Sequence, residues 1–571
     1  MTKNILIIGK NGQIANALIE NFKLEKTGFN VLVKDSSELD FSKPETLKEN
    51  LKNISTSINL IINCAGYTNV DKAEEEQELC DKINHQAVEI LADFCKEKNI
   101  LLIHYSTDYV FDGSGDKPFE EDNQENLKPL NYYGKTKLWA EQALKNSGCN
   151  YLIFRISWIY DNRKESKNFV NTIKRLASEK EEINVVDDQI GSPTSAEFVA
   201  SNTIRFIKKI TLENFDRNAD ENSIKFDKDL INQIYHLNNR DNISRHQQAE
   251  EIFTYLERSR IIIKLKKINS IKSDSSQFSN IQKPLNCQLN NEKINKILNL
   301  NSQLQKKYIA VFAHYDKHNI IDDYVLYYLE NLKLIANKII FVSDNNLPEI
   351  EQNKLQNLCH KVIAKNHGEY DFGSYKRGLE EAYQYSSDYD AIIIANDSCY
   401  GPLKPLNNIF KSMEYSDCDF WGLTVNQEIY LPHLQSYFLV FNKKIINSDV
   451  FKSFFRKVKR EDNKDKIIEN YEIALTSDFV DAGFKMDSFI KKIFERNPAL
   501  YYKSFSFLMK CNFPFFKVSF INKKTSIKRA IFRDYLKNHI LIKLIKNHLK
   551  RTRVNRFFGL KLLNKFSKKY Q

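Results

Sequence analysis

The chain has 571 residues, 42% apolar and 28% charged; this is too long for one hydrophobic core and too apolar for a disordered chain, so two or three globular domains are expected. Its nine cysteines are dispersed without a Cys-x-x-Cys pair or a Cys/His cluster, which argues against a disulfide framework or a zinc site and fits a reducing cytoplasm. The formal charge of +12 is not spread evenly: residues 523–571 hold 16 Lys or Arg against Asp534 alone, leaving residues 1–522 at −3, and with no recognition module present a nucleic-acid partner is not expected.

The opening stretch MTKNILIIGKNG has a short apolar run before a glycine turn, well below a signal-peptide core, and no segment reaches the ~20 apolar residues of a membrane span. Short β-branched runs then alternate with helical patterns: NILIIG, a helix from Gly12, NVLVK, a helix near Pro44, NLIINCAG, a helix from Asn84 to Lys98, and ILLIHYS. That alternation predicts βαβ units around a doubly wound parallel sheet, a Rossmann-like domain over residues 1–301. Residues 211–230 are polar and read as an inserted surface loop. A second α/β series opens at YIAVFAHYD and runs through KIIFVSD, KVIAK and DAIIIANDS, giving a domain over 302–522 with a seam at 300–307.

The first turn reads Gly9-x-x-Gly12-x-x-Ala15 between a strand and a helix. Glycine serves there where backbone must approach a pyrophosphate, whose charge then sits at the helix N-terminus. In HYSTDYVFDG an apolar strand ends in Ser106 and Thr107, placing hydroxyls at the carboxyl edge of the sheet. Tyr133 and Lys137 follow, one helical turn apart in NYYGKTKLWAEQAL. A nearby ammonium favours the phenolate of such a tyrosine, although isolated Tyr-x-x-x-Lys pairs are common on surface helices.

The glycine turn, INCAGYTNVDKAE, STDYVFDG, LNYYGKTKLWAE, FRISWIYDNRKESKNFV, VVDDQIGSPT and IQKPLNCQLN occur in this order over about 300 residues, and together resemble dTDP-4-dehydrorhamnose reductase, an extended short-chain dehydrogenase family. The resemblance implies that Thr107 bonds the substrate ketone, Tyr133 donates the proton, and Lys137 holds the nicotinamide ribose while tuning Tyr133. It implies dinucleotide contacts at Gly9, Gly12, Gln13, Ile14, Asp40, Ala65, Gly66 and Tyr67, and sugar-nucleotide contacts at Ser106, Trp158, Gln189 and Thr194. The substrate would be dTDP-4-dehydro-L-rhamnose and the product dTDP-L-rhamnose. VKDSSELD offers Lys34 for a 2′-phosphate and Asp35 for a free ribose hydroxyl, so NADPH is expected, with NADH the alternative.

In the second half, a buried-type strand runs into Asn396, Asp397 and Ser398. A carboxylate at that place can share a divalent cation, Mg or Mn, with a nucleotide diphosphate, as in GT-A-like transferases, while a plain Asp-Ser turn is the ordinary reading. The ordered blocks VFAHYDKHNIIDDYVLYYLENL, YDFGSYKRGL, ANDSCYGPL, HLQSYFLVFNKK, ENYEIALTS and FPFFKVSF resemble the rhamnan synthesis protein F family of rhamnosyltransferases. Under that resemblance Asp397 is the metal and catalytic carboxylate, Glu472 or Asp316 the candidate base, and His433 and Gln435 contacts for a lipid-linked glycan acceptor. A glycan-binding module without transfer is the rival reading. Finally, the 523–571 tail mixes cations with apolar residues at helical spacing, which suits a peripheral contact with the inner face of the cell membrane, packing on the second domain, or a homodimer contact.

Overall fold

The computed structural model describes residues 3–552 except 26–27, 55–56, 213–224, 240–241, 258–262, 275–280, 299, 301–305, 428–431, 495–506, 510 and 522–538. Its contacts cluster into two compact units, Met1–Phe253 with Ile263–Gln305, and Thr254–Ile262 with Lys306–Gln571.

In the first unit, β1 (Lys3–Ile8), β2 (Phe29–Lys34), β3 (Leu60–Asn63), β4 (Leu101–Thr107), β5 (Asn150–Ile156) and β6 (Gln233–His236) form one sheet in the order β6-β5-β4-β3-β1-β2. Every neighbouring pair is parallel. Alternate residues supply two cores. Ile5, Ile7, Ile62 and Ile103 face α1 (Gln13–Glu25) and α4 (Ala196–Ile210), whereas Leu6, Ile8, Ile61 and Leu102 face α2 (Ala87–Lys98) and α3 (Tyr132–Ser147). Burial on both faces explains why these strands read as continuous apolar runs. The chain reverses direction across the sheet between β1 and β3, the place where ligands of open α/β sheets bind. Of the polar 211–230 run, Thr211–Leu212 and Lys225–Phe226 pair as a small antiparallel ribbon, and 213–224 lie outside the described residues.

The second unit is a mixed α/β sheet. β7 (Tyr308–His314), β8 (Ala336–Ser343), β9 (Lys361–Ala364) and β10 (Ala391–Asn396) are parallel, with β7 central between β8 and β10. β11 (Phe420–Asn426), β12 (His433–Leu434) and β13 (Phe438–Asn442) extend it antiparallel, and β14 (Met486–Phe494) pairs with β11 in parallel. The order is β9-β8-β7-β10-β13-β11-β12. One face, under α6 (Tyr370–Ala382) and α7 (Asp449–Arg456), is an aromatic core in which Phe441, Phe451 and Phe479 meet, ring centroids 5.0–6.1 Å apart. Here the reversal falls between β7 and β10.

Of the tail, helix α8 (His539–Arg551) is described, and its Leu541, Ile545 and Leu549 are buried as it packs on α5 (Asp323–Lys333). Among the three uses expected for the tail's apolar face, this segment takes packing on its own domain, and the rest of the tail, 523–538 and 553–571, lies outside the described residues. Among the described residues no helix is long and apolar enough to cross a bilayer, and all nine cysteines are free.

Candidate functional site

The glycine turn of the first unit stands at the β1/β3 switch. Gly9 has φ 89°, and a Cβ there would lie 2.7 Å from the Ala65 nitrogen, so only glycine lets the β1–α1 loop lie against the loop after β3. The Gly9 and Lys10 N–H groups both donate to the Lys34 carbonyl, at 3.0 and 3.2 Å, bringing the end of β2 beside this loop. Lys10 and Lys34 both act on Asp35, whose carboxyl is held below its usual range first by the Ser37 hydroxyl. Lys34 also pairs with Glu38 at 2.6 Å. Gln13 accepts from the Asn168 amide, Ile14 is half-buried beside it, and Tyr67, next to Gly66, is tied to Asn84, whose Oδ1 accepts the Tyr67 N–H at 2.8 Å. Asp40 closes a local turn on the Ser42 N–H and hydroxyl.

Helix α3 begins because Asn131 caps it, its side chain accepting the Gly134 N–H at 3.0 Å. Gly134 lets the helix press on the turn after β4: a Cβ there would sit 2.3 Å from the Tyr109 carbonyl oxygen. That approach brings Tyr133 edge-on to Tyr109, centroids 5.7 Å apart, beside Thr107, whose hydroxyl donates to Asp108 Oδ1 at 2.8 Å and accepts the Tyr109 N–H at 3.2 Å. Burial pushes the Tyr133 phenol up, Thr107 lowers it in part, and Asp108 adds to the rise. The sequence expectation that Lys137 acidifies Tyr133 is corrected here. Lys137 Nζ is turned to the Tyr105 carbonyl oxygen at 2.6 Å and to His104 Nε2 at 3.1 Å, and burial draws it down to about 8.

Strand alternation sorts the two hydroxyls at the end of β4. His104 and Ser106 point to α3, where they meet Lys137 and Glu141, a helical turn apart. Ser106 Oγ donates to Glu141 at 2.6 Å, and Glu141 is paired at 2.7 Å with Arg155, both side chains fully buried. Ser106 is thus committed to an internal ion pair, while Thr107, on the other parity, faces Asp108 and the Tyr133 side of the strand end. Thr194 is likewise engaged, since its hydroxyl donates to the Ser192 carbonyl and accepts the Asn239 N–H in a fully buried position.

Trp158 adopts φ 48°, unusual for a bulky residue, and Gly191 abuts its indole so closely that a Cβ would lie 2.5 Å from Cε2. Arg245, which sequence reading missed, stacks on that indole at 3.5 Å and accounts for the held conformation; its own N–H donates to the Gln189 carbonyl. Burial draws the Arg245 guanidinium down to about 10. Gln189, Trp158 and Arg245 therefore form one cluster. A cation stacked on an aromatic ring has no periodic signature, so no spacing rule could have found Arg245.

At the reversal in the second unit, Asp397 follows β10 and accepts the Tyr315 N–H at 3.1 Å, with His314 Nε2 3.8 Å away. Burial pushes its carboxyl well up, and the neighbouring Asp371 adds to that. Asp371, missed from sequence although its block was read, accepts from the Asn396 amide at 2.9 Å. Glu472 accepts from Ser436 at 2.7 Å, and Tyr375, donating to the Ser436 carbonyl, links that side to Asp371. His433 and Gln435 are buried on and beside β12; Gln435 accepts from Thr424 at 3.4 Å, which makes both part of the sheet interior and not of an exposed acceptor surface. Asp316 is bound by Arg551 of α8 at 2.6 Å, and Asp322 by Arg551 and by His548 at 2.9 Å. Asp316, so engaged, is not a free base. Among the described residues no group of three or more His, Cys, Asp or Glu side chains is placed to hold a metal, so a cation at Asp397 would draw its other ligands from the nucleotide diphosphate.

The first unit is thus a Rossmann-like α/β body with a Tyr-x-x-x-Lys helix seated at the carboxyl edge of its sheet. The model of the RmlD substrate binding domain matches residues 3–316, more than half of the sequence, and the chain belongs to that family. A second model, rhamnan synthesis protein F, matches residues 339–570. The chain is 35% identical over 301 residues to dTDP-4-dehydrorhamnose reductase of Salmonella typhimurium, spanning 52% of this chain and 92% of that protein. It is 36% identical over 294 residues to the reductase of Escherichia coli K12, spanning 51% and 90%. The crystal structure of Bacillus anthracis dTDP-4-dehydrorhamnose reductase in complex with NADP is also similar, at 27% identity and TM-score 0.44, covering 53% of this chain and 95% of that one.

Proposed function

We propose that the chain is a bifunctional enzyme of rhamnose polysaccharide synthesis, whose first unit reduces dTDP-4-dehydro-L-rhamnose to dTDP-L-rhamnose and whose second transfers rhamnose to a growing glycan. The observation that supports the first half is the meeting of Tyr133, at the start of α3, with Thr107 at the carboxyl end of β4, where Tyr133 packs edge-on to Tyr109 and Thr107 acts on its phenol. Thr107 would bond the C4 ketone and orient it, and Tyr133 would give its hydrogen to the C4 oxygen as that oxygen gains charge. The glycine cradle at Gly9 and the first turn of α1 suit a dinucleotide pyrophosphate. When bound, NADPH supplies the hydride. Lys10 and Lys34 around Asp35 favour NADPH over NADH, since two cations suit a 2′-phosphate. Trp158, Gln189 and Arg245 form the sugar-nucleotide side of the site, the cation suited to a diphosphate.

For the second unit, the family model and the Asp397, Asp371, Tyr375 and Glu472 neighbourhood support glycosyl transfer, with Glu472 the remaining candidate base. The Arg551 clasp on Asp316 favours a second reading, a glycan-holding module that localises an active reductase. The test is one coupled assay on the full chain, given the 4-keto nucleotide, NADPH and a rhamnan acceptor, following cofactor oxidation and glycan growth. Oxidation with growth supports both activities; oxidation with acceptor binding but no growth leaves the module; no oxidation rejects the reductase.

A further inference from the structure

At the reversal of its sheet the second unit leaves two tyrosine rings in solvent. Tyr315, the first residue after β7, is 57% exposed, and Tyr370, the first residue of α6, is 47% exposed. Among the described residues neither ring meets another ring or a cation, and neither hydroxyl has a hydrogen-bond partner. The backbone that carries them is nonetheless held firmly. The Tyr315 N–H donates to Asp397 Oδ2 at 3.1 Å, and the next N–H, that of Asp316, donates to Asn345 Oδ1 at 2.8 Å. Ahead of α6, the Gly368 N–H donates to Asp344 Oδ1 at 2.8 Å and Arg377 pairs with Glu369 at 2.7 Å. Asp371, which follows Tyr370, accepts from the Asn396 amide at 2.9 Å. Both tyrosines are therefore anchored at one strand end, the first through Asp397 and the second through Asn396 of β10.

Single exposed apolar residues are ordinary, but these two differ. Tyr370 has φ 57°, a left-handed conformation that a ring-bearing residue rarely takes, and an exposed side chain returns no packing for it. Strain held in place by surrounding bonds points to a ligand, and a tyrosine fixed in this way loses little freedom when one binds. The neighbouring carboxyls narrow the chemistry. Burial and then Asp371 push the Asp397 carboxyl up, so a phosphate brought here without a cation would be opposed, whereas hydroxyls find acceptors. A sugar offers C–H groups on the face of its ring and hydroxyls around the edge; a 6-deoxy sugar adds a methyl group and no charge.

We propose that Tyr315 and Tyr370 form a stacking platform for an uncharged glycan, the rhamnose-bearing acceptor of the second unit. The proposal deepens the reading of that unit and rests on it for the identity of the sugar. It supplies the acceptor contacts that His433 and Gln435, buried in the sheet, do not make.

The test is calorimetric titration of the full chain with an α-linked rhamnose trisaccharide, with maltotriose and thymidine as comparison probes. The trisaccharide is expected to bind, and Tyr315→Ala or Tyr370→Ala to weaken it by about tenfold or more. Tyr315→Phe and Tyr370→Phe keep the ring and should stay within about threefold of wild type. Tyr370→Gly relieves the left-handed backbone, so its unfolding temperature should be no lower than wild type while its trisaccharide binding falls as in Tyr370→Ala; a purely structural part for the ring would not separate the two. No trisaccharide binding, binding unmoved in the alanine variants, equal affinity for maltotriose, or thymidine binding that depends on the two rings overturns the proposal. Ring-dependent trisaccharide binding by a chain that shows no glycan growth rejects transfer and leaves the platform standing. Growth whose acceptor KM is unmoved in the alanine variants overturns the platform and leaves transfer standing.

Discussion

The two units share one topological position, the reversal of an α/β sheet, and line it differently: with glycine and backbone in the first, with carboxylates in the second. In the first, the β1/β3 crevice is lined by glycine and backbone, while the charged groups beneath it, Lys137, Glu141 and Arg155, are ordered by internal partners. In the second, the carboxylates around β7 and β10 are occupied by side chains of the same chain, with Arg551 on Asp316 and Asp322. The lesson is that fold alone marks where a site can be, and the partners of its charged groups decide whether it is free to act.

The largest expected effect separates the units outright. Tyr133→Phe removes the hydrogen donor and should lower the ketone-reduction rate by about 10²–10⁴-fold while leaving any glycan growth from supplied dTDP-rhamnose unchanged; a full reduction rate would break the reading of the first site. Asp397→Asn probes the second, and glycan growth should fall about 100-fold with reduction unaffected. Growth at the wild-type rate would leave Asp397 without a catalytic part.

Smaller effects sharpen the contrast in how the sites are built. Gly134→Ala forces a methyl against the Tyr109 carbonyl, 2.3 Å from the Cβ position, and should destabilise the first unit by about 1–3 kcal/mol, read as a lowered first unfolding transition with reduced reductase rate. Arg551→Ala should weaken the second unit by about 1–2 kcal/mol in calorimetry and leave the first transition in place. The acid side of the stability profile gives a further check. Burial acts upward on Asp322, but the bonds from His548 and Arg551 prevail and hold it at about 2 against 3.8 unperturbed, so its stabilisation is present above about pH 4 and is lost as pH falls toward 2. In Arg551→Ala that acid-side loss should shrink.

Much of this was legible in the chain. The alternation of apolar runs and helices gave the parallel sheet, because strands buried on both faces must be apolar throughout. Gly9, Thr107, Tyr133 and the Asn131 start of α3 were readable because turns, caps and helical spacing are local. Ser106 and Thr194 show the limit of such reading: their motifs give position along the strand but not which buried partner the hydroxyl meets. Asp371 and Arg245 were missed because each acts on a residue distant in sequence.

By itself, then, the sequence determined the order of strands and helices, the glycine at the first crossover and the place of Tyr133 one turn before Lys137, all consequences of short-range backbone geometry. Only the tertiary structure decided what Lys137 faces, that Ser106 supports Glu141, and that α8 lays its apolar face and Arg551 on its own domain. Charge and hydrogen bonding depend on groups brought together from far along the chain, in surroundings from which water has been removed, and no periodicity along the backbone records that meeting.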